Sequence, residues 1–231
     1  MRVAVIQFPG SNCDQDALWS LRSDIGVSAD YVWHDSNDLA GFDAVFVPGG
    51  FSYGDYLRCG AIAARSRILN AVVEFAGTGG PVIGVCNGFQ VLCESGLLPG
   101  ALLQNSGERF ICKDVFLKAE NRTSMWTRQV DGVIRTPVAH GEGRFFCDDE
   151  TLTRVEGEGL VAFRYVDESG NVTQSANPNG SLDNIAGLVN KAGNVLGMMP
   201  HPERATSESL GNTDGKVILL ALNHVNTTSV V

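Results

Sequence analysis

Gly84, Cys86 and Gly88 sit two residues apart in the run Pro81-Val82-Ile83-Gly84-Val85-Cys86-Asn87-Gly88-Phe89-Gln90. G-x-C-x-G is the cysteine version of the G-x-S-x-G nucleophile elbow, a sharp turn from strand to helix with the nucleophile at its apex. Such a turn needs small neighbours on either side of the nucleophile, and the two glycines meet that need. At a helix N-terminus the dipole and the free N–H groups favour a thiolate. The N–H of Asn87, the residue after the nucleophile, is placed to donate to an oxyanion. Gln90 follows Cys86 by four residues, one helical turn along the same face, where it can line the pocket. A buried cysteine often packs only as a small hydrophobe, so the motif needs partners.

A thiol nucleophile needs a base, and the base an orienting group. Of the four histidines, at 34, 140, 201 and 224, His201 has the best setting: Met199-Pro200-His201-Pro202-Glu203-Arg204, just after an apolar strand. In an extended segment residues i and i+2 point the same way, which puts Glu203 beside His201. The flanking prolines stiffen the loop and remove competing N–H donors. His34, at the end of a strand next to Asp35, reads as a local cap or pair, and His224 as a residue of the last helix. His140 opens the glycine-rich stretch Ala139-His140-Gly141-Glu142-Gly143-Arg144, either a turn or a loop for the polar end of a substrate. Gly49-Gly50 follows another strand, where glycine lets a backbone N–H approach a reacting carbonyl as an oxyanion hole requires.

These residues need a frame. Apolar runs at Arg2–Phe8, Ala29–His34, Phe42–Val47 and Val82–Val85 read as strands, with helices over about 13–25, 61–76 and beyond Cys86. The alternation predicts an α/β fold: an open, mostly parallel sheet with helices on both faces. Ligands in such folds bind beyond the carboxyl ends of the strands, where Cys86 and Gly49-Gly50 fall. From about Arg109 the pattern changes to strands at Phe110–Lys118, Val133–Val138 and Leu160–Val166, a partly antiparallel extension. Ile185–Asn190 and Val195–Met199 read as a hairpin. Lys216–Val225 reads as a last helix, and Asn226–Val231 as a frayed tail.

With 231 residues, 44% of them hydrophobic and 19% charged, the chain can bury a sizeable core, and no linker divides it: a single domain over 1–231 is expected. A net charge of −9 argues against nucleic acid and against a polybasic membrane contact. The six cysteines form no C-x-x-C pair, which weakens zinc and redox readings and suits reduced thiols in the cytoplasm. Met1–Phe8 lacks the features of a signal segment, and no apolar run is long enough to span a bilayer. No metal site is expected. Gly211–Val217 has the wrong spacing and the wrong last residue for a phosphate-binding P-loop.

Pro48-Gly49-Gly50, Gly84–Gln90 and His201-Pro202-Glu203, in this order on this strand pattern, resemble the class I (triad) glutamine amidotransferases, which have a flavodoxin-like fold. Longer stretches, Phe8–Asp14, Gly49–Ala61, His140–Arg144 and Met199–Ala205, resemble the glutaminase subunits that serve purine synthesis, and this likeness covers essentially the whole chain. Phe51, where many triad amidotransferases carry proline, fits that subfamily. The resemblance implies that Cys86, His201 and Glu203 hydrolyse L-glutamine to glutamate and ammonia through a glutamyl thioester. It implies an oxyanion hole from Gly50, Phe51 and Asn87, and glutamine held by Gln90, His140, Gly141 and Glu142. It also implies a large synthase subunit that binds ATP, magnesium and formylglycinamide ribonucleotide and receives the ammonia, and a small third subunit. No cofactor is expected in this chain. The segment Gly49–Gly60, rich in Tyr, Phe and Gly, is expected to touch the partner. Competing readings are a glutaminase for another synthase, a cysteine hydrolase or stress protein on the same fold, and a non-enzymatic scaffold.

Overall fold

The computed structural model describes residues 1–227. Its centre is a nine-stranded sheet. In chain order its strands are β1 (Arg2–Gln7), β2 (Ser28–Trp33), β3 (Ala44–Val47), β4 (Val82–Val85), β6 (Ile111–Ala119), β7 (Val133–His140), β9 (Val161–Val166), β10 (Ile185–Val189) and β11 (Val195–Met198). Across the sheet the order is β2-β1-β3-β4-β11-β10-β9-β6-β7. The five strands from β2 to β11 run parallel, and the remaining four are antiparallel to their neighbours. This is the expected parallel sheet with its antiparallel extension, and β10–β11 is the expected hairpin. A separate two-stranded sheet, β5 (Ala101–Leu103) against β8 (Arg144–Phe146), was not anticipated from the sequence.

The two halves differ because their burial differs. In β4, Val82, Ile83 and Val85 have no solvent exposure, and β1 buries four consecutive residues, Val3 to Ile6. Parallel strands covered on both faces read as continuous apolar runs, and each such side chain contributes about 1.5–3 kcal/mol. In β7 burial alternates, with Ile134, Thr136, Val138 and His140 turned inward. That period of two marks a strand with one face toward the core, and it turns His140 into the interior.

Helices flank the sheet. α1 (Asp14–Trp19) continues as a π-helical turn over Ser20–Ile25 and packs near β1 and β2. The helix expected over 61–76 is broken at Ser66, whose ψ of 159° is extended. A 3-10 turn at Ala63–Arg65 precedes it, and α2 (Arg67–Gly77) follows. α3 (Asn87–Glu94) lies against β3, β4 and β11. α4 (Asp149–Gly157) was missed because it buries only Val155 and so shows no apolar stripe. Its start is nonetheless marked by Asp148, which accepts from the N–H of Thr151 at 2.8 Å. The last helix is α5 (Lys216–Leu219) followed by a 3-10 helix, Leu220–Thr227. That 3-10 helix takes in Asn226 and Thr227 of the expected tail, and 228–231 lie outside the described residues.

Candidate active site

β3, β4 and β11 are neighbours, and their carboxyl ends deliver the chemistry. β3 runs into Pro48-Gly49-Gly50, β4 into Cys86, and β11 into Met199-Pro200-His201. The parallel register pairs Met198 with Val85, and the Cys86 N–H donates to the Met198 carbonyl at 2.8 Å. Thus Cys86 and His201, distant in the chain, emerge from adjacent strands at one edge.

Cys86 is the N-cap residue of α3, with φ 53° and ψ −109°. Positive φ in a residue with a side chain is strained, at about 1–3 kcal/mol, and such strain clusters at functional sites. The flanking glycines are required sterically. A Cβ on Gly84 would stand 2.6 Å from Leu92 Cδ1 and 2.7 Å from the Gly88 carbonyl oxygen, and one on Gly88 would overlap the Val47 carbonyl oxygen. Gly49 has the same role opposite. A Cβ there would lie 2.9 Å from His201 Cε1, 3.2 Å from Cys86 Cβ and 3.3 Å from Cys13 Sγ. Its absence lets imidazole and cysteine close on one point.

His201 Nδ1 lies 2.6 Å from Glu203 Oε1, with the two residues 1% and 2% exposed. The pair forms by a route other than the extended one expected, since Pro202–Arg204 is a 3-10 turn. The His201 N–H donates to the Pro137 carbonyl at 2.8 Å and fixes the loop on β7. Burial works against protonation of this imidazole, but the Glu203 carboxylate and the Cys86 sulfur outweigh it and push its pKa up to about 10. Nε2 has no nitrogen or oxygen partner and remains for the sulfur and its substrate.

Cys86 opens into a cavity of about 290 Å³ that is also lined by Gly50, Phe51, Gln90, His140, Gly141 and Glu142. Of the residues expected at the site, His201, Glu203 and Asn87 lie behind this wall. Asn87 is the first residue of α3, so its N–H has no acceptor within the helix. Its side chain accepts from the Ser52 N–H at 3.3 Å and donates to Gln90 Oε1 at 2.8 Å. The Phe51 N–H, expected as an oxyanion donor, is engaged elsewhere in this structure. It donates to the Gly10 carbonyl at 3.1 Å, so it is not presented to the cavity. Beside it, Gly50 has φ 129°, and a Cβ there would meet Asn12 N and Oδ1 at 2.7 Å. The loop from Pro9 to Asn12 therefore sits directly on the Gly50–Phe51 segment that follows β3.

Sequence reasoning missed Asn105, the hub of the His140–Gly143 loop. Its Nδ2 donates to the carbonyls of Arg109 and His140, and its Oδ1 accepts from the Gly143 N–H and lies 3.1 Å from His140 Nδ1. Burial, then the nearby His201, push the His140 pKa down to about 4, so the ring is neutral. Asn12, Cys13, Asp55, Cys59, Phe110 and Arg204 also line the cavity. All but Phe110 lie within the family-like stretches, which are the available signal. Arg204 donates to Asp16 Oδ2 at 2.9 Å and to Cys13 Sγ at 3.1 Å, and burial pushes the Cys13 thiol up to about 12. His34 lies against its neighbour Trp33, with ring centroids 4.6 Å apart, and its Nδ1 pairs with Tyr53 Oη at 2.7 Å. Among the described residues no group of three or more His, Cys, Asp or Glu could hold a metal ion, and no helix is long and apolar enough to cross a membrane.

Residues 1–216 match the CobB/CobQ-like glutamine amidotransferase domain. The chain is 56% identical over 227 residues to phosphoribosylformylglycinamidine synthase subunit PurQ of Thermus thermophilus, across 96% of this chain and 97% of that one. It is 53% identical over 224 residues to the subunit of the same name from Chlorobaculum parvum, across 96% and 89% of the two chains. Among solved structures, a chain of PurLQS from Thermotoga maritima superposes with a TM-score of 0.84 at 44% identity, across 96% and 97% of the two chains.

Proposed function

The chain belongs to the CobB/CobQ-like glutamine amidotransferase family, and on that premise we propose that it is the glutaminase subunit of a phosphoribosylformylglycinamidine synthase. It hydrolyses L-glutamine and hands the ammonia to a large synthase subunit, which uses ATP and magnesium to convert formylglycinamide ribonucleotide to the amidine in purine synthesis. A small third subunit joins the complex, which works in the cytoplasm. The observation that carries the reading is the buried His201–Glu203 pair beside a cysteine on a strained elbow, in a chain so close to PurQ proteins over nearly its full length.

Cys86 attacks the carboxamide carbon as the thiolate. The negative charge that develops on the carbonyl oxygen meets the Asn87 N–H, and the Phe51 N–H once Gly10 releases it. His201, held protonated by Glu203, gives its proton to the departing ammonia. The glutamyl thioester that remains is attacked by water, from which His201 takes a proton. Glutamate leaves and the thiolate returns. The wall residues Gln90, His140, Gly141 and Glu142 hold the glutamine. Gln90 Nε2 donates to the Glu142 carbonyl, so helix and loop are tied together around it.

The partner surface lies at the cavity mouth. Tyr56 and Leu57 are 74% and 93% exposed, and Phe51 and Phe110 are also exposed. Tyr53, in the same segment, is turned toward His34 instead.

The test is glutamate release from glutamine with and without the synthase subunit, ATP, magnesium and formylglycinamide ribonucleotide. The full mixture should raise it sharply. Cys86→Ala should abolish glutamine-dependent synthesis and leave ammonia-dependent synthesis intact. Release indifferent to that mixture would point to another acceptor, and loss of both activities in Cys86→Ala would make Cys86 structural.

A further inference from the structure

On one side of Cys86 the cavity is anionic. Asp55 and Glu142 both line it, and the Cys59 thiol lies within hydrogen-bonding reach of both carboxylates. Burial is the largest influence on Asp55 and raises its pKa, and the like charge of Glu142 adds to it. No cation answers them. Arg58, three residues on, is turned to Glu94 with bonds of 2.5 and 2.6 Å. Arg204, in the same cavity, is held by Asp16 and Cys13. Among the described residues no ion pair includes Asp55 or Glu142.

A second, independent feature of the wall asks for N–H donors. His140 is 4% exposed, and its Nε2 has no partner. Asn105 donates its amide hydrogens to two carbonyls, so its oxygen is what faces His140 Nδ1. The hydrogen of the neutral ring is therefore on Nδ1, and Nε2 offers a lone pair. Two uncompensated carboxylates and a buried unpartnered acceptor around one nucleophile are complementary to a ligand that brings a cation and N–H groups.

The geometry points to Asp55, together with Glu142, as the receptor for the α-ammonium of the glutamine substrate, which makes Asp55 a specificity-determining residue. The inference rests on the glutaminase reading and adds to it a residue that the family-like motifs left without a role. An amide lacking the α-amino group would leave two carboxylates facing each other, and that repulsion selects against it. Asp55 is held in place by Asn87, whose Nδ2 lies 3.3 Å from Asp55 Oδ1. The same Asn87 thus fixes the carboxylate and follows the nucleophile.

The experiment compares kcat/KM for L-glutamine and for glutaramate, which keeps the carboxamide and carboxylate but lacks the amino group, using the complete complex. The wild type should prefer glutamine strongly. Asp55→Asn should lower kcat/KM for glutamine by about 30-fold, mainly through KM, as expected for a lost hydrogen bond to a charged group. It should not lower kcat/KM for glutaramate and should raise it as the repulsion is relieved, and Asp55→Glu should restore much of the preference. Equal losses on the two substrates would overturn the assignment. Should Asp55→Asn fail to fold, Glu142→Gln read by the same ratio decides it. A wild-type complex that hydrolyses neither substrate would overturn the glutaminase reading itself.

Discussion

The N–H of Phe51 donates to the carbonyl oxygen of Gly10 at 3.1 Å, next to a second bond from the Tyr53 N–H to the Pro9 carbonyl at 2.6 Å. The donor proposed for the oxyanion is therefore already satisfied. One backbone hydrogen bond is worth only about 1 kcal/mol net, whereas a missing oxyanion donor costs about 10²–10³ in kcat. The chain alone should thus release glutamate slowly, and the synthase partner should raise kcat at least about tenfold by freeing this group. Amide exchange reports it directly: Phe51 should be protected in the isolated chain and lose protection in the activated complex. An isolated chain as fast as the complex would refute this.

The His201–Glu203 pair makes stability depend on pH. An unfolded imidazole titrates near 6.5, while His201 keeps its proton to about 10 because Glu203 and Cys86 outweigh the effect of burial. A raised folded pKa stabilises fully below the unfolded value, and that contribution is lost as pH rises toward the folded one. The stability advantage of the wild type over Glu203→Gln should therefore be largest below about pH 6.5 and shrink toward pH 10. Urea midpoints across that range measure it, and a difference that does not change with pH contradicts the pair as described. In activity, Glu203→Gln should lower kcat by up to about 10⁴-fold, and by less than His201→Ala, since it removes the orienting group and leaves the base.

The parallel half of the sheet was legible because continuous apolar runs such as Val82–Val85 have one cheap solution, burial on both faces. The meeting of Cys86 with His201 was legible for the same reason, since both follow apolar strands and ligands gather at strand ends. What escaped were contacts made by irregular backbone. Phe51 is occupied because the Pro9–Asn12 loop reaches across to it, and no local pattern encodes that approach. Asn105 is a single polar residue in a loop and Asp55 ends the short 3-10 segment Ser52–Asp55, with no periodicity to mark either. The 3-10 turn at Pro202–Arg204 replaced an extended segment because Pro202 fits the first position of a helical turn as well as it fits a strand end.

Cys86 holds φ 53° with a side chain in place, so its strain should be measurable once the sulfur is removed. Cys86→Ala keeps a Cβ in that conformation, whereas Cys86→Gly does not. Strain of about 1–3 kcal/mol, less the extra entropy that glycine gains on unfolding, should leave Cys86→Gly about 1 kcal/mol more stable than Cys86→Ala. Both are expected to be inactive toward glutamine. Urea denaturation compares them, and a glycine variant less stable than the alanine one would show that the elbow is relaxed.

Tyr56 and Leu57 are the most exposed large apolar residues of the described chain, at 74% and 93%. Leu57 is also held at φ 72°, a conformation that favours glycine. A leucine kept there and left in water gains nothing from the fold of this chain alone, and the proposed synthase surface is what would cover it. Apolar and aromatic anchors near the centre of an interface lose about 2 kcal/mol or more on truncation. Tyr56→Ala with Leu57→Ala should accordingly weaken association with the synthase subunit by at least about 30-fold, while the thermal midpoint of the free chain moves little. Tyr53→Ala should behave in reverse, lowering the midpoint through its lost bond to His34 with a smaller effect on association. Titration calorimetry and thermal unfolding separate the two, and full affinity in the double variant would place the partner elsewhere.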